Sequence, residues 1–304
     1  MPVVMSSLFL VATAVASAPS AARAPLTVVT STTDLYDIAR QVGNGRITAE
    51  HISEGYQDPH FVEAKPSFVL HLKKADVWAF VGLDLEIGWM SLLLDGARNP
   101  KIRPGGSGYL DVSKAISVID IPRGNVDRSQ GDVHPLGNPH YWLDPDNGKR
   151  IARLFRDKFA ELDPEGVATY DAGLAAFNAK VDALVGELAP SLGRIRGKPV
   201  VAWHTSWRYL AEYTGMSIVG FMEPKPGVPP SPAHLAGLIG TMQRTGAKVI
   251  LMEPFYDRKM ADFVAGKTGA SVLVVPPSVG GTRDVPDYFS VLRNAVAKLA
   301  AALG

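Results

Sequence analysis

The sequence predicts an α/β protein of two lobes, each carrying a parallel-type sheet, joined by one long helix with a cleft between them. Three observations lead there. Short β-rich apolar runs alternate with helical segments before residue 107, and the same alternation restarts after Gly197, the rhythm of parallel sheets covered by helices. Between these stretches lies a long segment with apolar residues at helical spacing. At 304 residues the chain is also longer than a single hydrophobic core usually grows.

The elements follow in order. Val3 to Ala16 is an uncharged apolar run, followed by small residues from Ala18 to Ala24. This is the pattern of a secretory signal peptide over residues 1–24, with A-x-A-type cleavage sites at Ala16-Ser17-Ala18 or Ala22-Arg23-Ala24. The run is too short to span a membrane, and no other stretch reaches ~20 apolar residues. The mature protein is therefore expected in the periplasm.

Residues 25–165 form the expected first lobe. Leu26 to Ser31 (LTVVTS) reads as a strand, Asp34 to Val42 as a helix, and Arg46 to Ile52 as a second strand leading to the loop Glu54–His60. Pro66 opens a helix and Val77 to Val81 is a short apolar strand. Ser107 to Pro139 is rich in Gly, Asp and Pro, with apolar pieces around Val112 and at Ile116–Ile121, and reads as loop containing a strand. Pro145 to Leu162 is an amphipathic helix. Residues 166–193 are the connecting helix; about 23 residues of it would span roughly 35 Å, the height of a domain.

Residues 194–304 form the second lobe. Pro199 to Trp203, Ser217 to Phe221, Lys248 to Met252 and Val272 to Val275 read as strands. Between and after them come helices beginning near Trp207, at Ser231-Pro232 with Ser as N-cap, at Lys259 and at Pro286.

Composition narrows the chemistry. The absence of cysteine removes disulfides, thiolate metal sites and iron–sulfur clusters, and a lipid anchor on an N-terminal Cys is not expected. A metal site would have to be built from imidazoles, carboxylates and water. A formal net charge of +1 gives no reason to expect nucleic acid.

Three of the seven histidines stand where a strand gives way to the next helix: His60 in Gln57-Asp58-Pro59-His60, His140 in Asn138-Pro139-His140-Tyr141-Trp142, and His204 directly after PVVAW. In open α/β sheets, ligands bind outside the carboxyl ends of the strands. The three lie far apart in sequence, so spacing alone does not select them as a zinc motif.

Longer stretches carry a resemblance. DPHFVEAKPSFVLHLKKADVWAFVGLDLE, NPHYWLDPDNGKRIARLF and WHTSWRYLAEYTG resemble, in order, the three metal-ligand motifs of the zinc- and manganese-specific solute-binding proteins of ABC importers. Glu223 to Pro254 also resembles the family's stretch before its last strands. The resemblance implies two α/β lobes on one long helix, with a divalent metal ion held in the cleft by His60, His140 and His204. It also implies a membrane permease as partner and a monomeric carrier. Manganese-binding members are similar but have Glu where this chain has His204. Imidazole nitrogen suits zinc and carboxylate oxygen suits manganese, so Zn2+ is expected over Mn2+.

At the fourth ligand the chain departs from the family. Members usually place Asp or Glu just after the last strand, where this chain reads Val274-Val275-Pro276-Pro277-Ser278-Val279. The neighbouring strand-end carboxylate is Glu253, expected to complete or support the site; a helix-capping role, a bond orienting a ligand His, or a water ligand are the alternatives. His134, in Gly131-Asp132-Val133-His134-Pro135, is a candidate auxiliary ligand. His51, His71 and His234 read as structural or solvent-facing. Asp34 and Asp144 are candidates for helix caps or for bonds to histidine, and EPKPGVPPSP for a rigid loop.

Two other functions compete. Three histidines with an open position also hold catalytic zinc, but no HExxH, GxSxG or phosphate-binding Gly loop is present, and an enzyme is not expected. A binder of another small solute on the same two-lobed plan is the third reading.

Overall fold

The computed structural model describes residues 24–124, 131 and 133–304. The expected signal segment lies almost wholly outside the described residues. The first lobe contains β1 (Leu26–Thr30), α1 (Thr33–Gly43), β2 (Ile47–His51), α2 (Pro66–Lys74), β3 (Val77–Phe80), α3 (Met90–Ala97), β4 (Tyr109–Asp111) and α4 (Pro145–Leu162). The long helix α5 (Val167–Ile195) follows. The second lobe contains β5 (Pro199–Ala202), α6 (Arg208–Thr214), β6 (Ser217–Phe221), α7 (Pro232–Thr245), β7 (Val249–Met252), α8 (Lys259–Thr268), β8 (Ser271–Val274) and α9 (Tyr288–Leu303).

The strands form two four-stranded sheets, ordered β2-β1-β3-β4 and β6-β5-β7-β8, with every pair parallel. The two-lobed α/β architecture is thus the one the alternation predicted. Interior strands of such sheets are covered on both faces and read as continuous apolar runs. Accordingly β3 (VWAF) and β7 (VILM) are buried at every residue, whereas the edge strand β2 (ITAEH) alternates. Each sheet starts in its middle, runs to one edge and then reverses. The reversal leaves a crevice at the carboxyl ends of β1 and β3, and another at those of β5 and β7.

Helix α5 has 29 residues, roughly 43 Å of helix, and packs against α1, α4 and α9. One hydrophobic core runs through both lobes, from Val28 and Val42 through Phe177 and Val181 to Leu292 and Val296. The approach of α5 to α1 is close enough to require glycine. A Cβ on Gly173 would stand 2.2 Å from the Val42 carbonyl oxygen, whereas one on Gly186 of the same helix would meet nothing within 4 Å. Gly173→Ala is expected to cost about 2–3 kcal/mol of stability. Gly186→Ala is expected to add up to ~1 kcal/mol. Equal unfolding midpoints for the two variants would contradict this packing.

The helix ends follow local chemistry. Asp144 caps α4 by accepting from the Asp146 amide at 2.7 Å, with Pro145 at the first helical position. Ser231 caps α7 and Gly246 ends it in the left-handed conformation. Asp287 and Ser290 form a reciprocal capping box, so α9 starts at Tyr288, not at Pro286. One helix of the first lobe was not foreseen. The helix α3 was not legible as one; of the stretch 107–139, read as loop containing a strand, Tyr109–Asp111 joins the sheet and no other described residue does. Ile116, Val118 and Ile119 pack on the core without a ladder, and Asp120 takes φ 55°, which ends an extended run. Among the described residues no helix is long and apolar enough to cross a membrane.

Candidate metal centre

The chain folds His60, His140 and His204 together between the lobes. His60 lies in the turn after β2, His140 opens the short turn before α4, and His204 follows β5. Ring centroids are 5.5 Å apart for His60 and His140, 5.4 Å for His60 and His204, and 5.2 Å for His140 and His204. One ring nitrogen from each lies within 4.8 Å of the other two, an arrangement able to hold a metal ion. All three side chains are buried.

Local bonds aim the rings. Asp58-Pro59-His60 and Asn138-Pro139-His140 use the same device twice. The Asx Oδ1 accepts from the histidine backbone amide, at 3.0 Å in both cases, and also contacts the ring Nδ1, at 2.6 Å for His60 and 3.1 Å for His140. The Asn138 amide orientation is set by its Nδ2 donating to the Thr205 carbonyl at 2.9 Å. His204 Nδ1 meets Glu223 Oε2 at 2.8 Å. An amide carbonyl or a carboxylate can only accept, so each Nδ1 carries the proton and each Nε2 presents a lone pair. Thr205 Oγ1 lies 3.5 Å from His204 Nε2.

Electrostatics favour a neutral imidazole at His140. Burial, and then the neighbouring His204, His60 and His134, hold His140 well below the ordinary imidazole value. Burial alone would raise Asp58, but the hydrogen bond and charge of His60 outweigh it and leave the carboxyl below its usual range. The sequence named neither Asp58, Asn138 nor Glu223 as a positioning group. The repeated Asx-Pro-His triplet was a legible signal for the first two; nothing local marked Glu223.

His134 also reaches the cluster. Its ring centroid is 5.2 Å from that of His60 and 6.4 Å from that of His140, and its Nε2 lies 3.0 Å from His60 Nε2. Its Nδ1 donates to the Leu83 carbonyl at 2.9 Å. Leu83 follows β3 in a run of three left-handed residues, Gly82, Leu83 and Asp84.

Glu253 is the carboxylate expected to complete or support the site. It is fully buried at the end of β7 and is not part of the histidine group. Its carboxyl is fully buried just past the end of β7 and sits there as a neutral acid. Burial pushes its pKa up to about 8, with the Ser206 hydroxyl working against the rise. Asp34 and Glu86 are likewise pushed by burial to about 7. A carboxyl raised in the folded state contributes its stability fully below its unfolded value and loses it as pH rises through the folded value. Stability should therefore fall from about pH 4.5 to pH 8, by up to roughly 1.4 kcal/mol per pH unit for each such group. Glu253→Gln is expected to flatten the loss between pH 6 and pH 8 in urea unfolding and to leave metal affinity unchanged. An unaltered pH slope would contradict this assignment.

The loop after β8 is committed to joining the lobes. Val279 donates its amide to Asp34 Oδ1 at 3.0 Å and accepts from Thr33 Oγ1 at 2.7 Å, and Trp142 Nε1 donates to the Pro277 carbonyl at 2.8 Å. Asp34 is thus a lobe-to-lobe partner and Asp144 a helix cap; neither bonds a histidine. His51 and His234 bond backbone carbonyls, of Ser53 and Phe221, and stand outside the cluster with His71.

A cleft of about 380 Å³ opens from the cluster, lined by Asp58, His60, His204, Glu223 and Tyr256 among others. Tyr256 stacks on Trp203 with centroids 5.2 Å apart, and burial raises its phenol above the ordinary value.

The chain matches the family described as the periplasmic zinc-uptake complex component A over residues 28–302. It belongs to this zinc-uptake family. The high-affinity zinc uptake system protein ZnuA of Brucella abortus (strain 2308) is 31% identical over 156 residues, which is 51% of this chain and 47% of that protein. The match thus spans about half the length of that relative. The zinc-binding lipoprotein AdcA of Streptococcus pneumoniae serotype 4 is 24% identical over 299 residues, 95% of this chain and 58% of its own length. The crystal structure of a ZnuA superposes with a TM-score of 0.76 at 24% identity, covering 92% of this chain and all of that one. At that identity the structural likeness speaks to the zinc-uptake fold and not to the ligands.

Proposed function

We propose that this chain captures one divalent transition-metal ion, zinc in preference to manganese, in the interlobe cleft, and delivers it to the membrane permease of an ABC importer. The observation that carries this is the convergence of His60, His140 and His204, each with Nδ1 bound to an oxygen acceptor and Nε2 turned inward. Neutral imidazoles ordered in this way are what zinc requires, and an all-nitrogen trio discriminates against manganese. Family membership and the zinc named in the relatives support the same cargo and a periplasmic location.

The chain acts as a carrier and not as a hydrolase. The carboxylates nearest the trio, Asp58 and Glu223, are engaged on ring nitrogens, and Glu253 is buried. Among the described residues, neither carboxylate is free to serve as a general base. All three ligands come from one chain, which suits a monomer, and apolar Phe61 and Met260 line the cleft from opposite lobes where a partner would meet it.

Protein purified without chelator should contain zinc, and the metal-free form should take up one zinc per chain in a calorimetric titration. A metal-free preparation that also fails to take up zinc would end this reading.

A further inference from the structure

The two Asx-Pro-His triplets do more than aim their own rings. In each, one side-chain atom of the Asx residue serves its histidine and the other crosses to the second lobe. Asn138 keeps Oδ1 on His140, and its Nδ2 donates to the Thr205 carbonyl at 2.9 Å. Asp58 keeps Oδ1 on His60, and its Oδ2 faces the Tyr256 hydroxyl at 3.5 Å. Both crossings end beside His204. Thr205 is the next residue in the chain. Tyr256 stacks on Trp203, the residue before, and its ring centroid lies 6.4 Å from that of His204. Each first-lobe ligand is thus tied to the segment that carries the second-lobe ligand.

The two ties differ in stiffness. Around Asn138 the lobes are densely bonded. The Tyr209 hydroxyl donates to the Asn138 carbonyl at 3.1 Å and accepts from the Ile119 amide at 3.2 Å. Arg208 grips Asp120 with two bonds, at 2.9 and 3.1 Å. The Tyr256–Asp58 contact, by contrast, stands at the outer limit of a hydrogen bond and borders the open cleft of about 380 Å³. Among the described residues lining that cleft, it is the one hydrogen bond that crosses between the lobes.

We propose that Tyr256 is a positioning residue for zinc capture: the lobes pivot on the Asn138 side and part on the Asp58 side, and the Tyr256 hydroxyl closes on Asp58 as they shut, coupling closure to the aim of His60. The inference rests on the metal-capture reading above. An ionised carboxylate can only accept, so Tyr256 donates. Zinc on His60 Nε2 makes its Nδ1–H a stronger donor, and Asp58 Oδ1 is the atom that answers it. Closure removes water from the cleft, so Asp58 Oδ2 then needs a donor of its own, which the Tyr256 hydroxyl supplies. The ring stays on Trp203 throughout, so a loss of the hydroxyl alone leaves the wall of the cleft in place.

Zinc release into excess chelator, followed by stopped flow on the full chain, tests this. Tyr256→Phe keeps the stacked ring and is expected to release zinc on the order of 10-fold faster. The unfolding midpoint of the metal-free form should not change. Asp58→Asn weakens zinc binding by itself, and in that background Tyr256→Phe should add less than ~2-fold, because two residues acting through one bond are not additive. A Tyr256→Phe chain that releases zinc at the wild-type rate would overturn the proposal while leaving zinc capture intact. So would the same acceleration with and without Asp58, or a metal-free midpoint that falls in step with the loss of zinc. A wild-type chain that binds no zinc would overturn both readings.

Discussion

His140→Ala is expected to remove high-affinity metal binding altogether at ordinary working concentrations. His140 closes the trio, 5.5 Å from His60 and 5.2 Å from His204. It is buried, and its burial beside three other imidazoles keeps it neutral, in the form that coordinates. Four-ligand zinc sites bind with roughly 10–16 kcal/mol, so one ligand carries about 3 kcal/mol. Losing it should weaken zinc on the order of 100- to 1000-fold. His51→Ala is the matched control, because His51 bonds only the Ser53 carbonyl and packs edge-on to Tyr36, away from the cluster. Chelator competition on both variants checks this. An His140→Ala chain that keeps wild-type affinity would place the metal elsewhere.

The second large effect is on stability. The trio draws on both lobes, His60 and His140 from the first and His204 from the second. An ion held by all three binds only the folded chain and ties the lobes to each other. At a thousand times its dissociation constant, such an ion stabilises the fold by about 4 kcal/mol. For a domain-sized chain that corresponds to a rise of ~10 °C in melting temperature. Thermal unfolding with zinc should show this rise in the wild-type protein and not in His140→Ala. Manganese at the same concentration should give a far smaller one. Equal shifts for both metals would contradict the nitrogen-ligand account.

Much of this was legible in the sequence, for reasons that particular residues make plain. The interior strands VWAF and VILM are unbroken apolar runs because parallel sheets are covered on both faces. The starts of α4 and α7 were marked by their caps, Asp144-Pro145 and Ser231-Pro232. His60, His140 and His204 could be placed at strand-to-helix junctions, but their meeting depends on two chain crossings that spacing does not encode.

The fourth position is the least legible part of the site. Glu253 ends a strand, as a ligand would, yet its full burial makes it a neutral acid. His134 lies in a loop with no periodic pattern, and its approach to His60 depends on the left-handed turn at Leu83 in a different segment. The lobe-bridging role of Asp34 was hidden in the same way, since its partner Val279 lies near the other end of the chain.

The central claim is that this cleft is built for zinc. The most direct measurement gives metal-free protein equal, excess amounts of zinc and manganese, removes unbound ions, and counts the metal retained per chain. The account predicts one zinc per chain and negligible manganese. Retention of manganese at or above the level of zinc, or of neither metal, would contradict it.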